Sequence, residues 1–221
     1  ANFQNKGVKL SGLVNTYLLT YASDGLTSST QSVVLNAGAA TKLAVVQQAS
    51  GAKNRIAFGI QPYVELQDVS GNPVMNSGMT VHAAATGVAL SGTTDVSVSP
   101  STGQAKFSDL MFTGTANNTG YDITFTTTTG SITSTFQTVP LAAGDAYKLA
   151  VTPTTYSATN DVVFGTAPTV SLLDQEDNLV VGAAVTVKVT INGPGNNPTG
   201  FDNQSIAGGT ITFPRVRRAR M

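Results

Sequence analysis

The sequence predicts an all-β protein built from two-sheet sandwiches, and three observations predict it. Thr, Ser, Ala, Val, Gly and Asn dominate a chain in which only 11% of residues are charged, and this composition favours strands and turns over helices. Apolar and polar residues alternate along short segments, and no segment shows a sustained helical period. Turn residues separate these segments, so that roughly seven strands fall in roughly 100 residues, as in two-sheet sandwiches.

Each predicted element is a short strand with one apolar and one polar face. Val64 and Leu66 alternate with Tyr63 and Glu65, so one set of side chains should face a core and the other should face solvent. The same alternation is present over residues 79–86 and 121–126. Short strands joined by tight turns follow, because Gly, Asn, Ser and Thr mark turns at 70–73, 101–103, 117–120 and 129–130.

The chain repeats itself at an offset of 106 residues. Lys42-Leu43-Ala44-Val45 recurs as Lys148-Leu149-Ala150-Val151. The same offset then continues without a gap and relates Val64 to Val170 and Phe107 to Phe213. The sequence therefore predicts that these residues occupy equivalent places in two copies of one β unit.

The first forty residues match the second half of the repeat. Tyr17-Leu18-Leu19-Thr20-Tyr21 is similar to Tyr121-Asp122-Ile123-Thr124-Phe125, and Gly38 precedes Lys42 as Gly144 precedes Lys148. The predicted organisation is the C-terminal half of a repeat at 1–41, a complete repeat at 42–147, the N-terminal part of a third repeat at 148–213 and a non-matching basic tail at 214–221.

Composition excludes several classes of function. The 221 residues are 41% hydrophobic, which is enough for real cores. Lys+Arg 12 balance Asp+Glu 12, but four arginines lie in the tail, so the rest of the chain is mildly acidic and no nucleic-acid surface is predicted. No apolar stretch is long enough for a membrane span. The chain has no Cys, which excludes disulfides and thiolate zinc sites.

A family resemblance rests on the pattern of residues around the repeated strands. The pattern consists of Phe58, Gln61-Pro62, Val64, Leu66, Asp68, Gly71-Asn72, Val74, Ala105, Phe107, Asp109-Leu110, Gly120-Tyr121, Ile123-Thr124-Phe125, Ala143-Gly144 and Lys148-Leu149. In these residues the sequence resembles the bacterial immunoglobulin-like tandem repeats of large surface and secreted proteins, of the invasin and adhesin-stalk type, and the resemblance extends up to Phe213. Two departures are Asp177, which stands where Gly71 does and puts the same tight turn in doubt, and the tail, which matches no strand of the family.

The resemblance implies immunoglobulin-like sandwich repeats of about 106 residues in tandem, at an extracellular or cell-surface location. It implies a noncatalytic spacer, adhesion or assembly module whose partners are neighbouring copies of the repeat or chain and a surface receptor or glycan. The two partial repeats supply what each other lacks, so one interpretation is head-to-tail assembly by strand complementation. The other is that the chain is a slice of a longer repeat array.

No residue is predicted to be catalytic, and no cofactor-binding residue is predicted. His82 is the only histidine, and its counterpart is Lys188, so we interpret it as an exposed strand residue. Glu65 and Glu176 are the only glutamates, and each has a serine as its counterpart. An alternative function is a hydrolase on the immunoglobulin-like scaffold that uses loop Ser and Asp groups.

Two recurring Asp residues allow either a structural or a metal-binding interpretation. Each is followed by Asn four residues later, and an Asp in this position commonly caps a turn by accepting bonds from its own backbone. A carboxylate with nearby amide and carbonyl oxygens is also the ligand type that calcium prefers, so calcium is the one cofactor considered. The pattern favours the turn, with weak calcium candidates at Asp68, Asn72, Asp174 and Asn178.

The aromatic residues have two interpretations as well. Tyr17 and Tyr121 begin the penultimate strand of their sandwiches, where a tyrosine hydroxyl often bonds back to the corner backbone. A glycan-binding module is a further alternative, which would use Tyr63 and the predicted long loops 87–103 and 193–209, although the chain has no Trp platform.

Overall fold

The structure of the protein is a computed structural model. It describes residues 7, 9–75, 78–128, 131–155, 157, 159, 166, 168–189, 204–206 and 210–212. Every regular element in these residues is a β-strand, which confirms the predicted all-β class. No helix in the described part of the chain is long and apolar enough to cross a membrane. The tail at 214–221 lies outside the described residues, as does Phe213.

Most strands are short, as the spacing of turn residues predicted. The predicted turn at 117–120 is wrong, because these residues are the first four of an 11-residue strand, Asn117–Thr127. Their bounds are β1 Asn15–Tyr21, β2 Ser29–Leu35, β3 Lys42–Gln47, β4 Ala52–Lys53, β5 Tyr63–Gln67, β6 Thr80–Ala85, β7 Ala89–Ser91, β8 Asp95–Ser97, β9 Gln104–Lys106, β10 Met111–Thr113, β11 Asn117–Thr127, β12 Thr135–Ala142, β13 Lys148–Thr152, β14 Thr169–Leu173, β15 Val185–Val187, β16 Gln204–Ile206 and β17 Thr210–Thr212.

The chain divides into two compact units. Unit 1 contains residues 1–51, 58–110 and 119–139. It holds the antiparallel hairpin β1–β2, a three-stranded sheet in the order β3-β5-β9, and the strands β12, β11, β6 and β8 side by side in a second sheet. The prediction of long loops at 87–103 is wrong, because β7 and β8 lie inside that segment.

The core of unit 1 is formed by the inward-facing residues of its two larger sheets. Val64 and Leu66 on β5 are fully buried, and so are Ile123 and Phe125 on β11. The ring of Phe107, just after β9, contacts the ring of Phe125 with centroids 5.5 Å apart. These are the apolar positions of the alternation seen in the sequence, so the strand periodicity predicted which side chains form the core.

One polar position of that alternation does not face solvent. Glu65 is buried on β5, and its carboxylate accepts bonds from the side-chain amides of Gln67 at 2.9 Å and Gln104 at 3.0 Å. The prediction that the polar face of this strand is exposed to solvent is therefore wrong at Glu65. Amide donors from neighbouring side chains replace the water that Glu65 gives up.

Unit 2 contains residues 52–57, 111–118 and 140–221. Its sheets are β13-β14-β17 and β15-β16, and Leu141 on β12 pairs in parallel with Ala52 on β4. A small apolar cluster forms its core, with Ala143, Ala183, Val185 and Val189 packed against the buried residues Val170, Leu172, Val180 and Val187.

The sheets β3-β5-β9 and β13-β14-β17 pair equivalent residues. Leu43 lies opposite Leu66 in the first sheet, and the residues 106 positions further on, Leu149 and Leu172, lie opposite each other in the second. The pairs of β5 with β9 and of β14 with β17 obey the same offset. The offset of 106 residues is therefore present in the strand pairing, whereas the tandem repeat and its boundaries 1–41, 42–147 and 148–213 stay predictions.

Candidate functional site: the two Asp–Asn turns

Two turns that lie 106 residues apart in the chain carry extended networks of hydrogen bonds. We call residues 68–72 the first turn and residues 174–178 the second turn. In each, Oδ1 of the leading Asp accepts two backbone N–H bonds, from Ser70 at 2.9 Å and Asn72 at 3.0 Å for Asp68. Asp174 accepts the equivalent bonds from Glu176 and Asn178, both at 2.9 Å. Both turns thus have the self-capping geometry that the sequence favoured.

The second turn keeps this geometry although it lacks the glycine. Gly71 has a φ of 85° and Asp177 has a φ of 65°, so both residues occupy the left-handed region. Asp is one of the few side chains that tolerate this region. The doubt that the sequence raised at Asp177 is therefore removed, because the backbone of the turn is the same in both copies.

The Asn residue of each turn binds a segment far back in the sequence. The Asn72 amide donates to the carbonyl of Gly12 at 2.9 Å, and its oxygen accepts the N–H of Val14 at 2.8 Å. Asn178 makes the equivalent pair of bonds, to the carbonyl of Gly114 at 2.9 Å and from the N–H of Ala116 at 2.7 Å. Each side-chain amide is therefore a two-point clamp on the backbone of a three-residue segment.

The Asp residue binds the chain a second time through its other oxygen. The N–H of Gly38 donates to Oδ2 of Asp68 at 2.9 Å, and the N–H of Gly144 donates to Oδ2 of Asp174 at 2.9 Å. The Asn72 amide also donates to Asp68 Oδ2 at 2.9 Å, which links the two clamping side chains. We call each turn, with the backbone that it binds, a joint.

The second joint has an additional side-chain layer around Asn54, which is buried. The Asn54 amide donates to Asp174 Oδ2 at 3.0 Å, and its oxygen accepts the N–H of Gly114 at 2.9 Å. Glu176 binds both the Asn54 amide and Arg55, and Lys148 forms an ion pair with Asp177 at 2.6 Å. The Arg55 and Lys148 ion pairs lie partly exposed, so they contribute little compared with the buried amide.

The bonds to the two carboxylates favour their charged form. The Asn72 side chain, followed by the N–H of Gly38, holds the pKa of Asp68 at about 2, below its usual 3.8. Burial raises the pKa of Asp174, but the bonds from Gly144, Asn178 and Asn54 outweigh it and lower the pKa to about 2. Both residues are therefore anions over the whole physiological range.

The polar side chains of both joints are occupied in binding other parts of the chain. Both oxygens of each Asp already accept N–H donors, and a calcium ion would have to displace these donors from the same lone pairs. No group of three or more His, Asp or Glu residues in the described part of the chain is arranged so that it could hold a metal ion. The weak calcium prediction at Asp68, Asn72, Asp174 and Asn178 stays a prediction.

The other candidate residues lie in separate places. Nδ1 of His82 is 2.9 Å from an oxygen of Asp95, and both side chains are half-exposed. Glu65 lies in unit 1 and Glu176 in unit 2. Tyr63 lies beneath Lys106, whose Nζ is 4.9 Å from the ring centroid. The hydroxyl of Tyr17 donates to the carbonyl of Leu13 at 2.7 Å, which confirms the predicted bond to nearby backbone.

Sequence reasoning identified the turn residues but missed what they bind. The available signal was the fixed Asp-to-Asn spacing together with the glycines before each repeat, Gly38 and Gly144. Asn54 was also missed, although Asn160 stands 106 residues further on. Comparison with protein families, with curated proteins and with solved structures finds no match to this chain.

Proposed function

We propose that this chain is a noncatalytic structural segment of a bacterial surface or secreted protein, made of immunoglobulin-like repeats that serve as a spacer. The observation that carries the proposal is the duplicated joint, in which the same two side chains clamp the same three backbone positions at two points of the chain. Catalytic sites rarely occur as identical copies, whereas a connector must recur at every junction of an array.

The joints suit a spacer because they restrict motion between segments without metal or covalent links. Each joint contains three hydrogen bonds between side chains of the turn and backbone groups of earlier segments. A typical net contribution is about 1 kcal/mol per bond, and bonds to charged groups contribute more. Several such bonds are enough to make one arrangement of the joint dominant over alternatives.

Removal of the Asn clamps tests this proposal directly. We expect Asn72→Ala to reduce the hydrogen-exchange protection of the Val14 amide, and Asn178→Ala to reduce that of the Ala116 amide, each by about tenfold or more. The matched control is Asn118→Ala, since Asn118 is exposed and belongs to neither clamp.

Small-angle scattering then tests the mechanical role. We expect the wild-type chain to fit a single arrangement and the Asn72→Ala/Asn178→Ala double variant to require a broad ensemble, with unchanged strand content by circular dichroism. Identical scattering curves would contradict the spacer function. Turnover of ester, lactone or glycoside substrates that disappears with His82→Ala would contradict the noncatalytic assignment.

A further inference from the structure

We propose that the edge of β2 that faces away from β1 binds an extended segment of a neighbouring repeat, equivalent to residues 49–54 of this chain. We call this edge, with Gly38 and Asp68, the docking edge. The proposal rests on the repeat organisation of the proposed function, and it names the partner segment. Its basis is that residues 49–54 bind β12, which stands 106 residues after β2.

Segment 49–54 is bound to β12 by a side chain and by backbone. The Gln137 side-chain oxygen accepts the N–H of Ala49 at 3.0 Å, and the Gln137 amide donates to the carbonyl of Ala49 at 3.5 Å. Further along β12, Leu141 pairs in parallel with Ala52. Gln137 and Leu141 are both buried.

The same segment ends at the second joint. The Asn54 amide donates to Asp174 Oδ2 at 3.0 Å, and a Cβ on Gly144 would lie 2.5 Å from the backbone oxygen of Asn54. So close an approach of two backbones requires glycine at position 144.

The residues that receive segment 49–54 recur 106 positions earlier in the chain. Among the described residues, β2 pairs with β1 alone, and an uncovered strand edge presents backbone donors and acceptors to a further strand. Gln31 is exposed and Leu35 is partly exposed, although the residues at their places on β12 are buried. The receiving residues are Gln31, Leu35, Gly38 and Asp68, at the places of Gln137, Leu141, Gly144 and Asp174.

Gly38 is the observation that carries the proposal. A Cβ on Gly38 would meet only the Asp68 side chain, at 3.7 Å, and the φ of Gly38 lies outside the left-handed region. Neither a close contact nor backbone strain therefore requires glycine at this position in the structure. Gly38 is exposed, whereas Gly144 is buried. A segment that lay on β2 as residues 49–54 lie on β12 would require glycine at position 38.

The polar groups of the docking edge specify the partner. Asp68 Oδ2 accepts bonds from Gly38 and Asn72, but among the described residues it has no donor equivalent to the Asn54 amide at Asp174. An asparagine supplies that donor without burying a second charge. The partner is therefore an extended peptide with an asparagine at the place of Asn54.

A synthetic peptide with the sequence of residues 47–57 tests the docking edge on the full-length chain. We expect amide chemical shifts at Leu35 and Gly38 to change saturably with peptide concentration. The Gly144 amide should not shift, because the second joint already binds its own segment. A matched peptide with Asn54→Ala should bind about tenfold more weakly, since it lacks the donor to Asp68.

Gly38→Ala separates docking from folding. We expect this variant to bind the peptide at least about tenfold more weakly, because the added Cβ occupies the place of the peptide backbone. Its circular dichroism and the exchange protection of its Val14 amide should match wild type. The control is Thr20→Ala, which should bind the peptide as wild type does, since Thr20 is exposed and lies on β1.

Three results would overturn the proposal: no saturable shift at any peptide concentration, a shift at Gly144 as large as that at Gly38, or equal binding by the wild-type and Gly38→Ala chains. Equal binding of the Asn54→Ala peptide would overturn the requirement for asparagine. Exchange protection at Val14 and Ala116 is measured without peptide. A chain that keeps this protection but binds no peptide would therefore lack the docking site and retain the spacer function.

Discussion

The two joints share their central bonds and differ in what surrounds them. Both use an Asp–Asn turn to clamp three backbone positions, but only the second joint encloses its Asp with the buried side chain of Asn54. The first joint shows that the turn alone is sufficient to make the contact. The second shows that a buried side chain from an earlier segment, Asn54, adds a further donor to the same carboxylate.

Acid should weaken both joints together and is expected to have the largest effect. The pKa of each Asp is lowered from 3.8 to about 2 in the folded chain, so each charge stabilises the fold above pH 4 and this contribution is lost as pH falls through 2. Denaturant unfolding at pH 5, 4, 3 and 2 should show a decrease in the free energy of unfolding across this window. The Asp68→Asn/Asp174→Asn variant should start lower and decrease less, and equal slopes would contradict the assignment.

Gly144→Ala should separate the two joints. A Cβ on Gly144 would lie 2.5 Å from the backbone oxygen of Asn54, whereas a Cβ on Gly38 would meet only the Asp68 side chain, at 3.7 Å. We expect Gly144→Ala to reduce the free energy of unfolding by about 1–3 kcal/mol, because backbone has to move. The matched Gly38→Ala variant should change it by less than about 0.5 kcal/mol. Equal costs would show that Asn54 does not close over the second joint.

Asn54→Ala should leave the second joint with only the kinds of bond that the first joint has. The substitution leaves the Gly114 N–H without its acceptor and removes one donor from Asp174, at a cost of about 1–2 kcal/mol. In hydrogen exchange, the Gly114 and Gly144 amides should lose protection while the Gly38 amide should not. Loss of protection at Gly38 would mean that the variant perturbs the whole fold rather than one joint.

The sequence predicted the strands and the self-capping turns because both are set by local patterns. Alternation identified Val64, Leu66 and Phe125 as core. The offset of 106 residues predicted that Val64 and Val170 occupy equivalent places, and the pairing of β3 with β5 and of β13 with β14 confirms this. Alternation along the strand predicts that Glu65 faces solvent, because this pattern does not reveal that Gln104 lies beside it.

The bonds of Asn72 and Asn178 to distant backbone could not be predicted from the sequence, for a related reason. Asn72 and its backbone partners are 58 to 60 residues apart, and nothing local marks Gly12 as an acceptor. The offset at these acceptors is 102 residues, from Gly12 to Gly114, and not 106, so they fall out of step with the rest of the repeat. The sequence puts the tight turn at Asp177 in doubt because glycine is the common residue in a left-handed turn, although aspartate tolerates the same backbone.

The clamps recognise peptide groups and not side chains. Asn72 binds the backbone of Gly12-Leu13-Val14, and Asn178 binds the backbone of Gly114-Thr115-Ala116. The bonds are the same although the side chains of the two bound segments differ. Such a coupling does not depend on the side chains of the segment that it binds. In the array of repeats that we propose, duplication, deletion or exchange of repeats would therefore leave these backbone bonds intact, and the length of the array could change during evolution without compensating mutations at its connections.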